Sequence, residues 1–212
     1  MAKKATERNW DVWDEPYVSE LVDRKWARPE KQGVPGKYLA CILENIEGKS
    51  ILDVGCGVGR FYSVLPPGEY AYLGVDYSRA MLKVACSRYP EAKFRKGDAY
   101  DLSRVARKDT VVGIALLIHL PDVEKGLGQL WSRAKKCLMV TVRMAPEAQT
   151  QKHPAVRIVR GEDLREFPDG KHLVIQWDTP EGFDAKVAAL PGVGSVERFD
   201  FGQVWIYKIN RE

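Results

Sequence analysis

Residues 51–61 read ILDVGCGVGRF, an apolar run that ends in Asp53 and is followed by three glycines two apart, Gly55, Gly57 and Gly59. A short, continuously apolar run bounded by glycine reads as a strand buried on both faces. Glycine allows the backbone to turn tightly and lets a ligand come close with no Cβ in the way. The stretch therefore predicts a buried strand, a tight turn and a helix start, where backbone amides favour an anion, either a phosphate or a carboxylate.

Working outward, short β-branched runs alternate with amphipathic segments, the pattern of βαβ units around a parallel sheet. Strands are expected at 50–54, 70–75, 92–96, 110–115 and 137–142, and two more at 195–200 and 203–209, joined through Phe201 and Gly202. Helices fill the gaps. Ser78 is placed to cap one that runs until Tyr89, where Pro90 ends it. Pro121 and Asp122 open another, with Val123, Leu127, Leu130 and Trp131 on one face, and a third is expected at 182–190. The fold class is α/β: a doubly wound, mostly parallel seven-stranded sheet with an antiparallel C-terminal hairpin.

Residues 1–40 read as an N-terminal helical cap on the domain formed by 41–212. The cap is rich in aromatic and charged residues, with helix expected from about 16 to 26 and breaks at Pro29 and the Gly33/Gly36 pair. Residues 145–176 read as an irregular insertion with one short helix near 162–166.

The chain has 33 basic and 29 acidic residues, a net charge of +4, spread without a large single-sign field. That balance permits a nucleic-acid partner without pointing to one. The basic groups at 133–136 and 152–160 read first as solvated faces and helix C-terminal charges. Cys41, Cys56, Cys86 and Cys137 lie far apart, with no metal-ligand spacing, and read as free thiols of a reducing compartment. The N-terminal residues lack a signal-peptide pattern, and the longest apolar run, 111–120, is interrupted by Gly113 and His119. The expectation is a soluble, cytoplasmic protein with no membrane partner.

Two further features share the glycine turn's spacing logic. The second strand ends at Asp76, 21 residues after Gly55, where an acid reaches the two hydroxyls of a ribose. After the third strand, Asp98 and Ala99 can offer a carboxylate and a backbone amide to a base edge. Nicotinamide dinucleotides and adenosyl amino acids both fit such an arrangement. The dinucleotide fingerprint, however, is G-x-G-x-x-G, and counting from Gly55 places Arg60 where its third glycine belongs. The spacing favours the second class.

At this point the sequence resembles the class I S-adenosylmethionine-dependent methyltransferases, in particular their small-domain, methyltransferase-11-like group. ILDVGCGVGRF is similar to their first motif, YLGVDYSRAML to the ribose-binding second, KGDAYDL to the adenine-contacting third, and DTVVGIALLIHLPDVEKGL to the fourth strand and following helix. The resemblance implies a Rossmann-like fold with S-adenosyl-L-methionine as cofactor and S-adenosyl-L-homocysteine as product. It further implies that Asp53, Gly55 and Gly57 line the methionine part, Asp76 binds the ribose, and Tyr77 lies along the adenine. Asp98 and Ala99 would read the adenine edge, with Leu116 and Leu117 beside the pocket. One departure is Ala115, where many relatives carry an acid.

A methyl on a sulfonium is already activated, so such an enzyme mainly holds a nucleophile in line, with a base where the acceptor carries a proton. His119, just beyond the fourth strand, is the candidate base; its alternative is a capping or packing role. Trp10, Trp13, Tyr17 and Trp26 are candidates for an acceptor pocket, and Arg24 for the cofactor carboxylate. Pro-Cys and Thr-Cys pairs do not occur, which argues against cytosine C5 methylation. The Asn/Asp-Pro-Pro-aromatic motif of base-amine enzymes is also missing. The leading expectation is methyl transfer to an oxygen or nitrogen of a small molecule. The alternatives are transfer to RNA or protein, a non-catalytic partner subunit, and a nicotinamide-dependent oxidoreductase.

Overall fold

The computed structural model describes Trp13 and residues 34–145, 156–160 and 172–212. In chain order, helix α1 (Val34–Glu44) leads into β1 (Ser50–Val54); then come β2 (Ala71–Asp76), α2 (Arg79–Arg88), β3 (Phe94–Lys96) and β4 (Lys108–Gly113). They are followed by α3 (Val123–Arg133), β5 (Ala134–Arg143), the strands β6 (Val156–Arg160) and β7 (His172–Gln176), α4 (Pro180–Ala188), β8 (Val193–Asp200) and β9 (Val204–Arg211).

Seven strands form one sheet in the order β3-β2-β1-β4-β5-β9-β8. The first five are parallel, while β9 runs antiparallel to both β5 and β8. The chain winds outward from β1 to β3, then restarts on the other side of β1 with β4. Ligands of open α/β sheets bind in the crevice that such a reversal leaves at the strands' carboxyl ends.

The alternation of side chains sorts the strands between two cores. On β1, Leu52 and Val54 join a cluster with Val111, Leu138, Leu130, Trp131 and Phe183, whereas Ile51 joins Leu39, Ile42, Val112 and Met139 on the opposite face. Helix caps follow the sequence: Ser78 Oγ accepts from the Met81 amide at 3.0 Å, Asp122 Oδ1 from that of Lys125 at 2.9 Å, and Thr179 Oγ1 from that of Gly182 at 3.0 Å.

Some expectations change: the helix expected to start after the glycine turn is a single 3-10 turn, Tyr62–Val64. Gly36, taken as a break, lies inside α1. A glycine costs a helix roughly 1 kcal/mol, and burial of Tyr38, Leu39 and Ile42 on one face outweighs it. Strand β5 starts at Ala134 rather than 137, because Arg211 holds the junction, donating from Nε to the Ala134 carbonyl at 2.8 Å and from Nη2 to that of Trp131 at 2.9 Å.

Within the region expected to be irregular, β6 and β7 pair as an antiparallel two-stranded ribbon. The helices expected at 16–26 and 162–166 lie outside the described residues. Among the described residues, no helix is long and apolar enough to cross a membrane, and no cluster of His, Cys, Asp and Glu is arranged to hold a metal ion.

Candidate active site

At the carboxyl ends of β1, β2 and β4 lies a cavity of about 240 Å³. Asp53, Gly55, Gly57, Asp76, Tyr77, Ala99, Leu116 and His119 all line it. Asp98 does not, since its Oδ1 accepts the Tyr100 amide at 2.8 Å, a local turn that presents the neighbouring Ala99 to the cavity. Leu117 is buried and faces a different, smaller cavity. Trp10, Tyr17, Trp26 and Arg24 lie outside the described residues.

The three glycines of the turn have φ of 73°, 53° and 82°, in the left-handed region, yet they serve different contacts. A Cβ on Gly55 would stand 2.8 Å from Leu116 Cδ1, and one on Gly59 would stand 2.8 Å from Tyr89 Cδ2. Those two positions admit close packing by the protein itself. A Cβ on Gly57 would meet nothing within 4 Å. Gly57 is thus the glycine that keeps backbone open to a ligand.

The acid ending β2 is locked to this turn. Asp76 Oδ2 accepts the Gly57 amide at 2.7 Å and Oδ1 that of Ser78 at 2.8 Å, while the Gly55 amide reaches the Val75 carbonyl at 2.7 Å. Each carboxylate oxygen has two lone pairs, so these bonds orient the group and leave it chemically suited to vicinal hydroxyls.

Asp53 is 1 % exposed, and its Oδ2 accepts the Tyr72 hydroxyl at 2.7 Å. Burial pushes its carboxyl up to about 7, the Tyr72 bond opposes that rise and the Asp76 charge adds to it. The same burial and the same two acids push the Cys56 thiol well up, keeping it a neutral, unreactive group in the turn. Opposite these acids, Arg60 lines the cavity and donates from Nη1 to the Tyr38 hydroxyl at 3.3 Å, its guanidinium 5.8 Å from the Tyr38 ring centre.

The wall after β4 is built differently. Ala115 has φ 52°, unlike any other non-glycine among the described residues, and donates its amide to Thr141 Oγ1 at 2.7 Å. Leu117–His119 then forms one 3-10 turn. The His119 ring meets the Trp13 ring edge-on, with centroids 5.1 Å apart. Trp13 is tied down by its carbonyl, which accepts the Ser78 hydroxyl at 2.5 Å. Trp13 and His119 both line the cavity.

Arg60 and Tyr72 were not expected at the site from sequence. Arg60 was visible only as the residue displacing a dinucleotide glycine. Tyr72 shares the β2 face with Gly74 and Asp76, and Gly74 pairs with Asp53 across the sheet, a register no local pattern displays.

The sheet order and the carboxyl-edge cavity with its glycine turn are those of the fold found in class I S-adenosylmethionine-dependent methyltransferases. Residues 51–137 match the family model described as "Methyltransferase domain". It is 30% identical over 155 residues to a ubiquinone biosynthesis O-methyltransferase of Azorhizobium caulinodans, covering 69% of this chain and 60% of that one. It is 26% identical over 131 residues to a trans-aconitate 2-methyltransferase of Rhodopseudomonas palustris, covering 61% and 51% respectively. The chain therefore spans only half to three-fifths of the length of these curated relatives. In fold it is similar to the magnesium protoporphyrin IX methyltransferase of Synechocystis crystallised with S-adenosylmethionine, with a TM-score of 0.65, 16% identity and coverage of 99% and 100%.

Proposed function

We propose that this protein transfers the methyl group of S-adenosylmethionine to an oxygen or nitrogen of a small molecule and releases S-adenosylhomocysteine. The observation that carries this reading is the single cavity that receives Asp53, the open backbone of Gly57, Asp76 and Ala99 together with His119 and Trp13. The residues suit the cofactor. Asp53 and the Gly55–Gly57 backbone would hold its amino-acid part, Asp76 its ribose hydroxyls, Tyr77 and Leu116 the faces of its adenine, and Ala99, with Asp98 fixing the turn, the adenine edge.

When bound, the cofactor supplies a methyl already activated on sulfur. The chain's own contribution is then to exclude water with apolar walls and to orient the acceptor. In this reading His119 takes the acceptor's proton. The ring contact with Trp13 restricts the imidazole's orientation, which a base requires before its basicity matters. Both curated relatives described above are named for small-molecule acceptors, which supports the acceptor class chosen here.

The test is calorimetric titration with S-adenosylmethionine, followed by mass analysis of small-molecule pools incubated with the labelled cofactor. Saturable binding and a labelled product are expected. Binding of NAD with indifference to the sulfonium compound would overturn the reading in favour of an oxidoreductase. For the base, His119→Ala should lower kcat/KM by at least about tenfold and remove a limb of its pH profile. An unchanged profile would return His119 to a packing role.

A further inference from the structure

The 3-10 turn Leu117–His119 touches two cavities. His119 lines the first, whereas Leu117 and Ile118 line a second, of about 60 Å³, between the ends of β5 and β7 and helix α4. One part of its lining is apolar, from Leu117, Val142 and Phe183. Another part is an excess of hydrogen-bond donors.

The indole Nε1 of Trp177 is buried and has no acceptor among the described residues. A buried N–H without a partner is rare, because the group gives up its water for nothing. The Arg143 guanidinium lies over the Trp177 ring, 5.5 Å from its centre, with a long 3.4 Å bond from Nη2 to Gln203 Oε1. The guanidinium carries five N–H donors and no acceptor. The other charges in the lining, Lys186 and Asp178, pair with each other at 3.0 Å, which leaves the cavity with one net positive charge.

We propose that this second cavity binds a small carboxylic acid as its anion. The Trp177 Nε1–H and the Arg143 guanidinium donate to the carboxylate oxygens, and a short apolar stem lies against Leu117, Val142 and Phe183. A monoanion matches the single unbalanced charge, and planar, two-point acceptance is what a guanidinium fork selects. The space holds on the order of four water-sized groups, about the bulk of acetate or propanoate. The anion is either the acid group of the methyl acceptor or a separate acid.

The test is a titration of the ¹⁵N-labelled protein without cofactor, following the indole N–H resonance that Trp177→Phe removes. At constant ionic strength, propanoate should shift that resonance saturably, propanamide should not, and Arg143→Gln should weaken propanoate binding at least tenfold. The other indole resonances report whether each variant is folded. No shift, an equal shift with propanamide, or undiminished binding by Arg143→Gln overturns the site and leaves a hydrated cavity. The labelled methyl-transfer assay then separates the two sources. Propanoate that suppresses the labelled product marks the anion as the acid group of the methyl acceptor. Propanoate that binds and leaves that product unchanged marks a separate acid. Because the titration omits the cofactor, its failure leaves the assignment of the first cavity standing.

Discussion

The site has two walls built on different principles. Where β1 and β2 end, backbone and short acids do the work: Asp76 accepts the Gly57 and Ser78 amides, the Gly55 amide reaches the Val75 carbonyl, and Asp53 accepts the Tyr72 hydroxyl. Where β4 ends, the wall is made of larger side chains, among them Leu116, His119 and, from a segment far off in the chain, Trp13. The first wall suits a ligand that does not vary. The second suits one that differs among proteins of the same fold, since side chains can change without disturbing the sheet.

The sharpest test of this contrast is Asp76→Ala. It should weaken S-adenosylmethionine binding by roughly 2–4 kcal/mol, from the loss of one or two charge-assisted hydrogen bonds and of the anchor for the Gly57 amide. Undiminished affinity by calorimetry would remove Asp76 from the first wall.

Asp53→Asn probes the same wall through stability. Folded Asp53 keeps its proton up to about pH 7, whereas in the unfolded chain it loses it near its ordinary value of 3.8. Between those values the folded state binds more protons, so this residue's contribution to stability is greatest in acid and declines as pH rises, reaching its full loss above pH 7. Asparagine removes that decline and can still accept from Tyr72. Relative to wild type, the variant should gain about 2–3 kcal/mol between pH 5 and pH 8 in urea unfolding. A difference between the two proteins that is the same at both pH values would show that Asp53 is already ionised at pH 5.

The glycines offer a smaller but cleaner comparison. Gly59→Ala should destabilise the fold by about 2 kcal/mol through the Tyr89 contact and positive φ, with cofactor affinity of the folded protein little changed. Gly57→Ala should cost stability only about 1 kcal/mol, the backbone term, while weakening the cofactor more than tenfold. Reversed outcomes would mean that the ligand lies elsewhere along the turn. Smallest of all, on the second wall, Ala115→Gly should relieve its positive φ and shift stability by no more than about 1 kcal/mol, because glycine's greater unfolded-state freedom offsets part of the gain. A large loss in thermal unfolding would show that the Ala115 methyl is packed in earnest.

How far each wall could be read from sequence follows the same division. Strand β1 coincides with its expected limits, 50–54, because an unbroken apolar run bounded by glycine has few other uses. What each glycine makes room for was not legible: beside the ligand-facing role expected of Gly55 and Gly57, Gly55 and Gly59 make room for Leu116 and Tyr89, contacts that arise only when the chain folds back. Arg133 shows the same limit among the basic groups, since its Nη1 donates to the Val105 carbonyl at 3.1 Å, whereas Lys135 and Lys136 remain exposed.

By itself, the sequence determined the succession of the five parallel strands, the helix caps at Ser78 and Asp122, the glycine turn and the acid at its partner strand's end. These depend on local backbone preference and on spacing along the chain, which short-range sterics and hydrogen bonding set. Only the tertiary structure decided that Asp53 would meet Tyr72 and carry a proton near neutrality, that Gly57 alone of the turn's three glycines would face open space, and that Arg143 and Trp177 would share a cavity. Burial, charge proximity and unmade hydrogen bonds are properties of groups brought together across the sheet, and no stretch of chain holds them before it packs.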